Sequence, residues 1–380
     1  MLPLLGTVPS FVRKVEAVDS VVRLYSLRQL NIRNLVTERF AFEPGVTALV
    51  GPNAAGKSNL VEAVTLGLSG VGVGGRVAQS LHFGEQEGYV RAEFESADGR
   101  HVVEVSLAPG RRQVRLDGQG VRALELATLG GVVRIEPDDV DLVLGPPARR
   151  RAFLDHLLAR LSLRYALVSR EYQRVLEQRN ALLRDGGHGP VLSAWDERFV
   201  TLGREVDALR ARAMPRLAEH AAAAYERIAG PGHDFVVQLE RVAAEADLGD
   251  ALAATRAAER ARGATLVGPQ RDELRLDLRQ RPLAAYGSRG EARTAALALR
   301  VAEHALLEAR HGTPPLLIID DVHAELDEQR RAFLVTLAGT APQALVTGTE
   351  VPPGATRVWR IAAGRVDVPT APMVATTHNG

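Results

Sequence analysis

The sequence predicts an α/β fold: a phosphate-loop nucleotide head, with a mixed sheet and an antiparallel β region, interrupted by a helical lobe. Three observations carry this. Gly51-Pro52-Asn53-Ala54-Ala55-Gly56-Lys57-Ser58 fits G-x-x-x-x-G-K-[ST] between a strand-like and a helix-like segment. Leu316-Leu317-Ile318-Ile319-Asp320-Asp321 is an apolar strand ending in two carboxylates. Between them, from Ala148 to about Gly230, apolar residues recur at helical spacing with hardly any strand signal.

In chain order, residues 1–21 show no periodicity and read as an irregular leader. The first head segment spans 22–144. It opens on the strand-like Val22 to Leu27 and reaches Val46-Thr47-Ala48-Leu49-Val50, a β-branched run suited to a strand buried on both faces. The phosphate loop follows, and an amphipathic helix begins at Ser58. Gly70-Val71-Gly72-Val73-Gly74-Gly75 follows a helix instead of a strand, so it reads as a loop and not as a dinucleotide turn. Residues 88–118 alternate, with Asp98-Gly99 and Asp117-Gly118 as turn signals, predicting antiparallel strands and hairpins.

Character changes at Gly145-Pro146-Pro147, where a helical arm, 145–262, begins. Leu154, Leu157, Leu158, Leu161, Tyr165, Val168 and Tyr172 continue one stripe, broken at Asp185-Gly186-Gly187-His188-Gly189-Pro190. Helix then resumes through Trp195, Leu202, Val206, Leu209 and Leu217, so two long helices around a sharp turn are expected. The second head segment, 263–368, returns to strands and helix, and 369–380 is a tail.

The phosphate-loop glycines let backbone N–H groups turn inward around phosphates, and the helix amino terminus adds its positive dipole end. Lys57 would bridge the β and γ phosphates of ATP, and Ser58 would ligate Mg²⁺. Gly51, Asn53, Gly56 and Asn59 complete the candidate nucleotide-binding set. Asp320 would hold Mg²⁺ through water or Ser58, while Asp321 could orient or deprotonate the attacking water. Only Lys14 and Lys57 among 47 basic residues are lysine, so an ammonium at position 57 stands out.

The two motifs lie at opposite ends of the chain, unlike a compact GTPase-like domain. Upstream of the second, Tyr286-Gly287-Ser288-Arg289-Gly290-Glu291 opens a helix from Ala292 to about Arg310. Ser288 and Gly290 make a second anion-binding end, although the phosphate loop already serves the nucleotide held in cis. Such a spare end makes sense if it meets the γ-phosphate of a nucleotide bound by a second subunit; a plain serine N-cap is the simpler alternative. Asp327 then adds a carboxylate where that dimer interface would run.

This order of motifs resembles the ABC-type, SMC-like ATPase heads of chromosome and repair proteins and, within them, the RecF recombination-mediator family, from about Val22 to Val368. The segments that carry the resemblance are Asn31 to Leu35, the phosphate loop with Ser58-Asn59-Leu60, Glu136 to Asp139, and Gly145-Pro146-Pro147 leading into Arg149 to Asp155. Gln178 to Leu183, Gly268 to Leu274 and Asp320 to Asp327 complete them. The resemblance implies a monomer that dimerises on ATP, with two nucleotides between heads. It also implies binding to duplex DNA at single-strand gaps, action with RecR, and loading of recombinase. It further places Arg33 near the bound phosphates, a role suited to a guanidinium.

Three departures from that pattern stand out. Glu291 takes a place that is usually glutamine. No glutamine occurs around Val132 to Glu136 to touch Mg²⁺. The last strand, Ala344 to Thr349, has no switch histidine. The latter two gaps predict slow turnover, with ATP timing a clamp. For DNA phosphates, Arg149, Arg150 and Arg151 are the candidates, with Arg160, Arg164, Arg170, Arg174 and Arg179 along the arm; an ordinary solvated face is the alternative.

Composition narrows the class. No cysteine rules out disulfides, thiol catalysis and cysteine-ligated zinc, and the ten histidines are scattered. No apolar run approaches a membrane span, so a cytoplasmic protein without a membrane partner is expected. A net charge of +1 announces no global basic field. The energy-coupling ATPase of a transporter and a nucleotide-switched scaffold that needs no hydrolysis are the competing functions.

Overall fold

Both ends of the chain build one sheet. The computed structural model describes residues 22–71, 77–126, 129, 131–186, 189–242, 247–321 and 327–367. The expected leader and tail, Gly72 to Gly75 of the second glycine cluster, Gly187-His188 of the arm's break, and 322–326 between the acid pair and Asp327 lie outside the described residues.

Strands β1 (Arg23–Leu30), β2 (Arg39–Ala41) and β3 (Gly45–Val50) lead to helix α1 (Lys57–Ser69). After a single turn, α2 (Val77–Ser80), come β4 (Gly88–Ser96), β5 (Gly99–Ala108), β6 (Arg111–Leu116) and β7 (Gln119–Val121). The expected hairpins are present. Asp117 and Gly118 both have positive φ, as a two-residue type I′ turn requires. The short helix α3 (Ala123–Leu126) and β8 (Val132–Ile135) end this segment.

The lobe comprises α4 (Asp141–Leu144), α5 (Pro147–Leu161), α6 (Leu163–Arg184), α7 (Pro190–Ala229), β9 (Phe235–Glu240) and α8 (Leu248–Arg262). The chain then runs through β10 (Glu273–Leu278), β11 (Arg281–Pro282), α9 (Leu283–Tyr286) and α10 (Arg289–His311). It closes with β12 (Leu316–Ile319), α11 (Glu328–Thr340), β13 (Gln343–Gly348), β14 (Arg357–Ala362) and β15 (Arg365–Asp367).

Among the described residues, β2-β1-β4-β5-β6-β7 form an antiparallel sheet and β15-β14-β3-β13-β12-β8 a second sheet, parallel except for β15. Parallel strands need both faces covered, and two cores do this. Val132, Leu49, Leu316, Ile318 and Leu345 face the core shared with α1 and the antiparallel sheet. Their neighbours Val133, Ile135, Leu317, Ile319, Ala344 and Val346 face the core shared with the lobe and α10. Successive side chains of a strand point to opposite faces, so one count of residues sorts every strand.

The arm differs from expectation in two respects. The stripe from Leu154 to Tyr172 is carried by two helices, because Ser162 is extended (φ −150°, ψ 112°) and its hydroxyl accepts from the Tyr165 amide, capping α6. Nor is the lobe all helix. Strand β9 pairs antiparallel with β10, Phe235 against Leu278 and Glu240 against Glu273, so this small sheet crosses the expected boundary at residue 262.

The same region corrects three candidate DNA contacts. Arg150 is buried, donating to Glu273 at 2.6 Å and to the Val143 and Gly145 carbonyls. Arg160 is buried against Glu303, and Arg179 against Asp196 and Glu259. Arg160 and Arg179 neutralise interior carboxylates, Arg150 pairs with the half-buried Glu273, and all three guanidinium-bearing residues are buried away from DNA.

Candidate functional site

Strand β3 delivers the chain into the phosphate loop at the carboxyl end of the parallel sheet, where α/β folds place their ligands. Two glycines there are sterically required. A Cβ on Gly51 would sit 2.1 Å from the Ile361 carbonyl oxygen, and Gly56 holds φ +111°. Helix α1 starts at Lys57, whose ammonium donates to the Gly51 and Pro52 carbonyls at 2.8 and 3.0 Å. The lysine thus lies curled within its own loop, with only 5% of the residue exposed.

Alternation now places the acid. Asp320 continues the count of Leu316 and Ile318 and so emerges on the α1 face, where the Ser58 hydroxyl donates to its Oδ1 at 3.2 Å. Thr347, in step with Leu345 on β13, donates to the same oxygen at 2.7 Å. Arg134, in step with Val132 on β8, gives its Nη2 to Oδ2 at 2.5 Å and to Glu136 at 3.0 Å. Burial pushes the Glu136 carboxyl above its ordinary range, against the pull of Arg134. Asp321 has φ +46°, and its amide donates to the Thr347 hydroxyl at 2.7 Å, so one hydroxyl fixes both members of the acid pair.

Arg33, Asn53, Gly56, Lys57, Ser58, Asn59 and Asp321 line one cleft, with Asp320 buried just inside. Arg33 Nε is held by Glu62 of α1 at 2.7 Å, and Ser80 donates to the other Glu62 oxygen at 2.6 Å. Asn59 donates to Asn34 at 2.6 Å, tying the start of α1 to the segment after β1. Ser58 and Asp320 offer hard oxygen donors of the type Mg²⁺ takes. Among the described residues no group of three or more His, Asp or Glu could hold a metal, so Ser58 and Asp320 would leave the rest of a cation's shell to water or a nucleotide.

The residues expected to make a second anion-binding end lie elsewhere. Ser288 caps α10 in a capping box: its hydroxyl accepts from the Glu291 amide at 3.2 Å, while its amide donates to the Glu291 carboxylate at 2.9 Å. The Ser288 amide lowers the Glu291 pKa, so this carboxylate sits charged at the helix start. Arg330 donates to the Gly290 carbonyl at 2.8 Å and also pairs with Asp327, the N-cap of α11. Ser288, Gly290 and Asp327 therefore belong to one patch, and none of them lines the phosphate-loop cleft.

The family model described as RecF/RecN/SMC N terminal domain matches residues 23–350. The DNA replication and repair protein RecF of Deinococcus deserti is 46% identical over 354 residues, 93% of this chain and 98% of that protein. Its counterpart in Deinococcus radiodurans is 45% identical over 344 residues, 90% of this chain and 95% of that protein. The chain belongs to the RecF family. A solved structure of the recombination mediator protein RecF with ATP, in the RecFOR pathway, superposes with TM-score 0.86 at 26% identity, covering 94% of this chain and all of that one. An Smc head from Pyrococcus furiosus at 15% identity and TM-score 0.54, covering 92% of this chain and 96% of that one, shares the fold. This RecF-family chain is thus an SMC-like ATPase head.

Sequence reasoning missed Arg134 and Thr347. Each is a polar residue inside an otherwise apolar strand, Val-Val-Arg-Ile and Ala-Leu-Val-Thr-Gly, and that interruption was the available signal. It also missed Phe83, 99% exposed and lining the cleft.

Of the remaining arginine candidates, Arg149 pairs with Asp141 at 3.2 Å, Arg151 donates to the Asp272 carbonyl, and Arg164 pairs with Glu205 at 2.5 Å. Arg149, Arg164 and Arg174 are exposed. No described helix is long and apolar enough to cross a membrane.

Proposed function

We propose that this chain is a slow ATPase of recombinational DNA repair that closes as an ATP-bound dimer on duplex DNA near single-strand gaps and acts with RecR. One observation carries the dimer. The phosphate loop and acid pair form one cleft while Ser288 and Gly290 lie outside it, which leaves the Ser288 end of α10 to serve a second head's nucleotide.

Within the cleft, Lys57 releases the loop carbonyls to bind the β and γ phosphates, and the amides from Gly51 to Ser58 orient them. Arg33 adds a guanidinium at the same phosphates, and the ring of Phe83 offers the base a stacking face. Ser58 and Asp320 would hold Mg²⁺, whose charge neutralises the phosphate oxygens. Asp321, fixed through Thr347, orients water and accepts its proton. Backbone phosphates of DNA would meet Arg149, Arg164 and Arg174, without base readout.

Steady-state ATP hydrolysis with and without duplex and gapped DNA tests this, with Lys57→Ala as the blank. The expected result is slow turnover that DNA raises and the variant lacks. Turnover indifferent to DNA would remove the DNA partner and leave the ATPase head.

A further inference from the structure

The pair of half-buried Arg134 and buried Asp320 stands where the metal edge of the nucleotide cleft would be. Both Asp320 oxygens are engaged: two hydroxyls donate to Oδ1, and the guanidinium takes Oδ2 at 2.5 Å. Strand register fixes this placement, since Arg134 lies opposite Ile318 and the Asp320 amide donates to the Ile135 carbonyl at 2.8 Å. The site is also an expensive one for a cation. Arg134 Nε is buried without a hydrogen-bond partner, and one Nη2 is shared between Asp320 and Glu136. A residue serving only to fill the α1 face could be apolar at less cost.

We infer that Arg134 is a built-in counter-cation that competes with Mg²⁺ for Asp320 and thereby sets the metal concentration at which the head becomes occupied. This rests on the nucleotide reading of the cleft. Without nucleotide, the guanidinium neutralises Asp320 and keeps the carboxylate aimed at Ser58. With nucleotide, phosphate oxygens add to the ligand set, and metal can then share or displace the arginine. Arg134 is therefore a positioning residue that couples metal entry to nucleotide entry. Glu136 is the second acceptor on the same nitrogen and draws the guanidinium partly away from Asp320.

The test is metal binding by the full chain, read from the electron paramagnetic resonance signal of free Mn²⁺ at a fixed saturating level of a non-hydrolysable ATP analogue. Arg134→Gln is expected to lower the half-saturating Mn²⁺ about tenfold, the scale of one lost charge-assisted bond. Glu136→Gln is expected to raise it about threefold, and the rise should vanish in the double variant. An unchanged or higher half-saturating Mn²⁺ in Arg134→Gln overturns the inference, as does a Glu136→Gln effect that persists without Arg134. Should Arg134→Gln fail to fold, Glu136→Gln alone decides: no rise overturns the inference. A separate fluorescent-ATP titration of the wild-type chain distinguishes the underlying reading. No nucleotide binding there sinks the site itself, whereas nucleotide binding with an unaltered metal requirement in Arg134→Gln sinks only this inference.

Discussion

At the scale of single residues, the head places carboxylates where their charge is costly and then constrains them. Asp272 is the clearest titrating case. Burial, with Asp207 nearby, pushes its pKa up to about 6 despite the Arg210 guanidinium at 3.2 Å. A raised carboxyl pKa means the folded state keeps a proton that the unfolded chain has lost. The associated stability is present below the unfolded value near 4 and is lost as pH rises through about 6. Asp272→Asn removes this dependence. Its stability relative to wild type should improve between pH 4 and pH 6, by at most about 3 kcal/mol, in urea unfolding at each pH. A difference that stays flat across that range would contradict the assignment. That Lys57, Ser58 and Asp320 come together was legible in the sequence, the first two from the spacing of the glycine loop and the third from an apolar strand ending in acids. Arg134 was not, because its partner comes from a strand far along the chain and only sheet register shows that both face α1.

At the scale of elements, buried arginine clusters fasten the lobe. Arg179 on α6 reaches Asp196 on α7 at 2.8 Å, Glu259 on α8 at 2.6 Å and the Thr265 hydroxyl at 2.7 Å, and only 1% of it is exposed. Arg179→Met leaves the buried Glu259 carboxyl without its cation, while Asp196 keeps Arg256. The expected loss is about 3–5 kcal/mol of folding stability by denaturant titration, and a loss under about 1 kcal/mol would show that the cluster is replaceable. Helix periodicity showed that long helices follow Gly145 but not where they join. The break at Ser162 interrupts no apolar stripe, and β9 is too short and too close to a long helix to announce itself before its partner β10 is known.

At the scale of the whole molecule, ATP binding and self-association should be separable. Asp321→Asn is expected to bind ATP and hydrolyse it about 100-fold more slowly, so the proposed ATP-bound dimer should accumulate in analytical ultracentrifugation. Ser288→Arg in that background should still bind ATP yet sediment as a monomer, because the bulk falls at the start of α10 and not in the cleft. A dimer that survives Ser288→Arg would move the interface elsewhere.

The strand that launches the phosphate loop also has a history within each round of synthesis. Thr47 pairs with Leu345 on one side and Arg357 on the other, so β3 waits for about 300 further residues before either neighbour exists. At ribosomal speeds of about 5–20 residues per second, that wait lasts about 15 to 60 s. Throughout it, an apolar strand and its glycine loop have no parallel sheet to join, while the lobe's helices, whose contacts are nearer in sequence, are made in full before the wait ends. The arm is therefore made before the sheet into which it is inserted can close, and a nucleotide cleft that needs both β3 and the end of β12 can form only once residue 320 has been added.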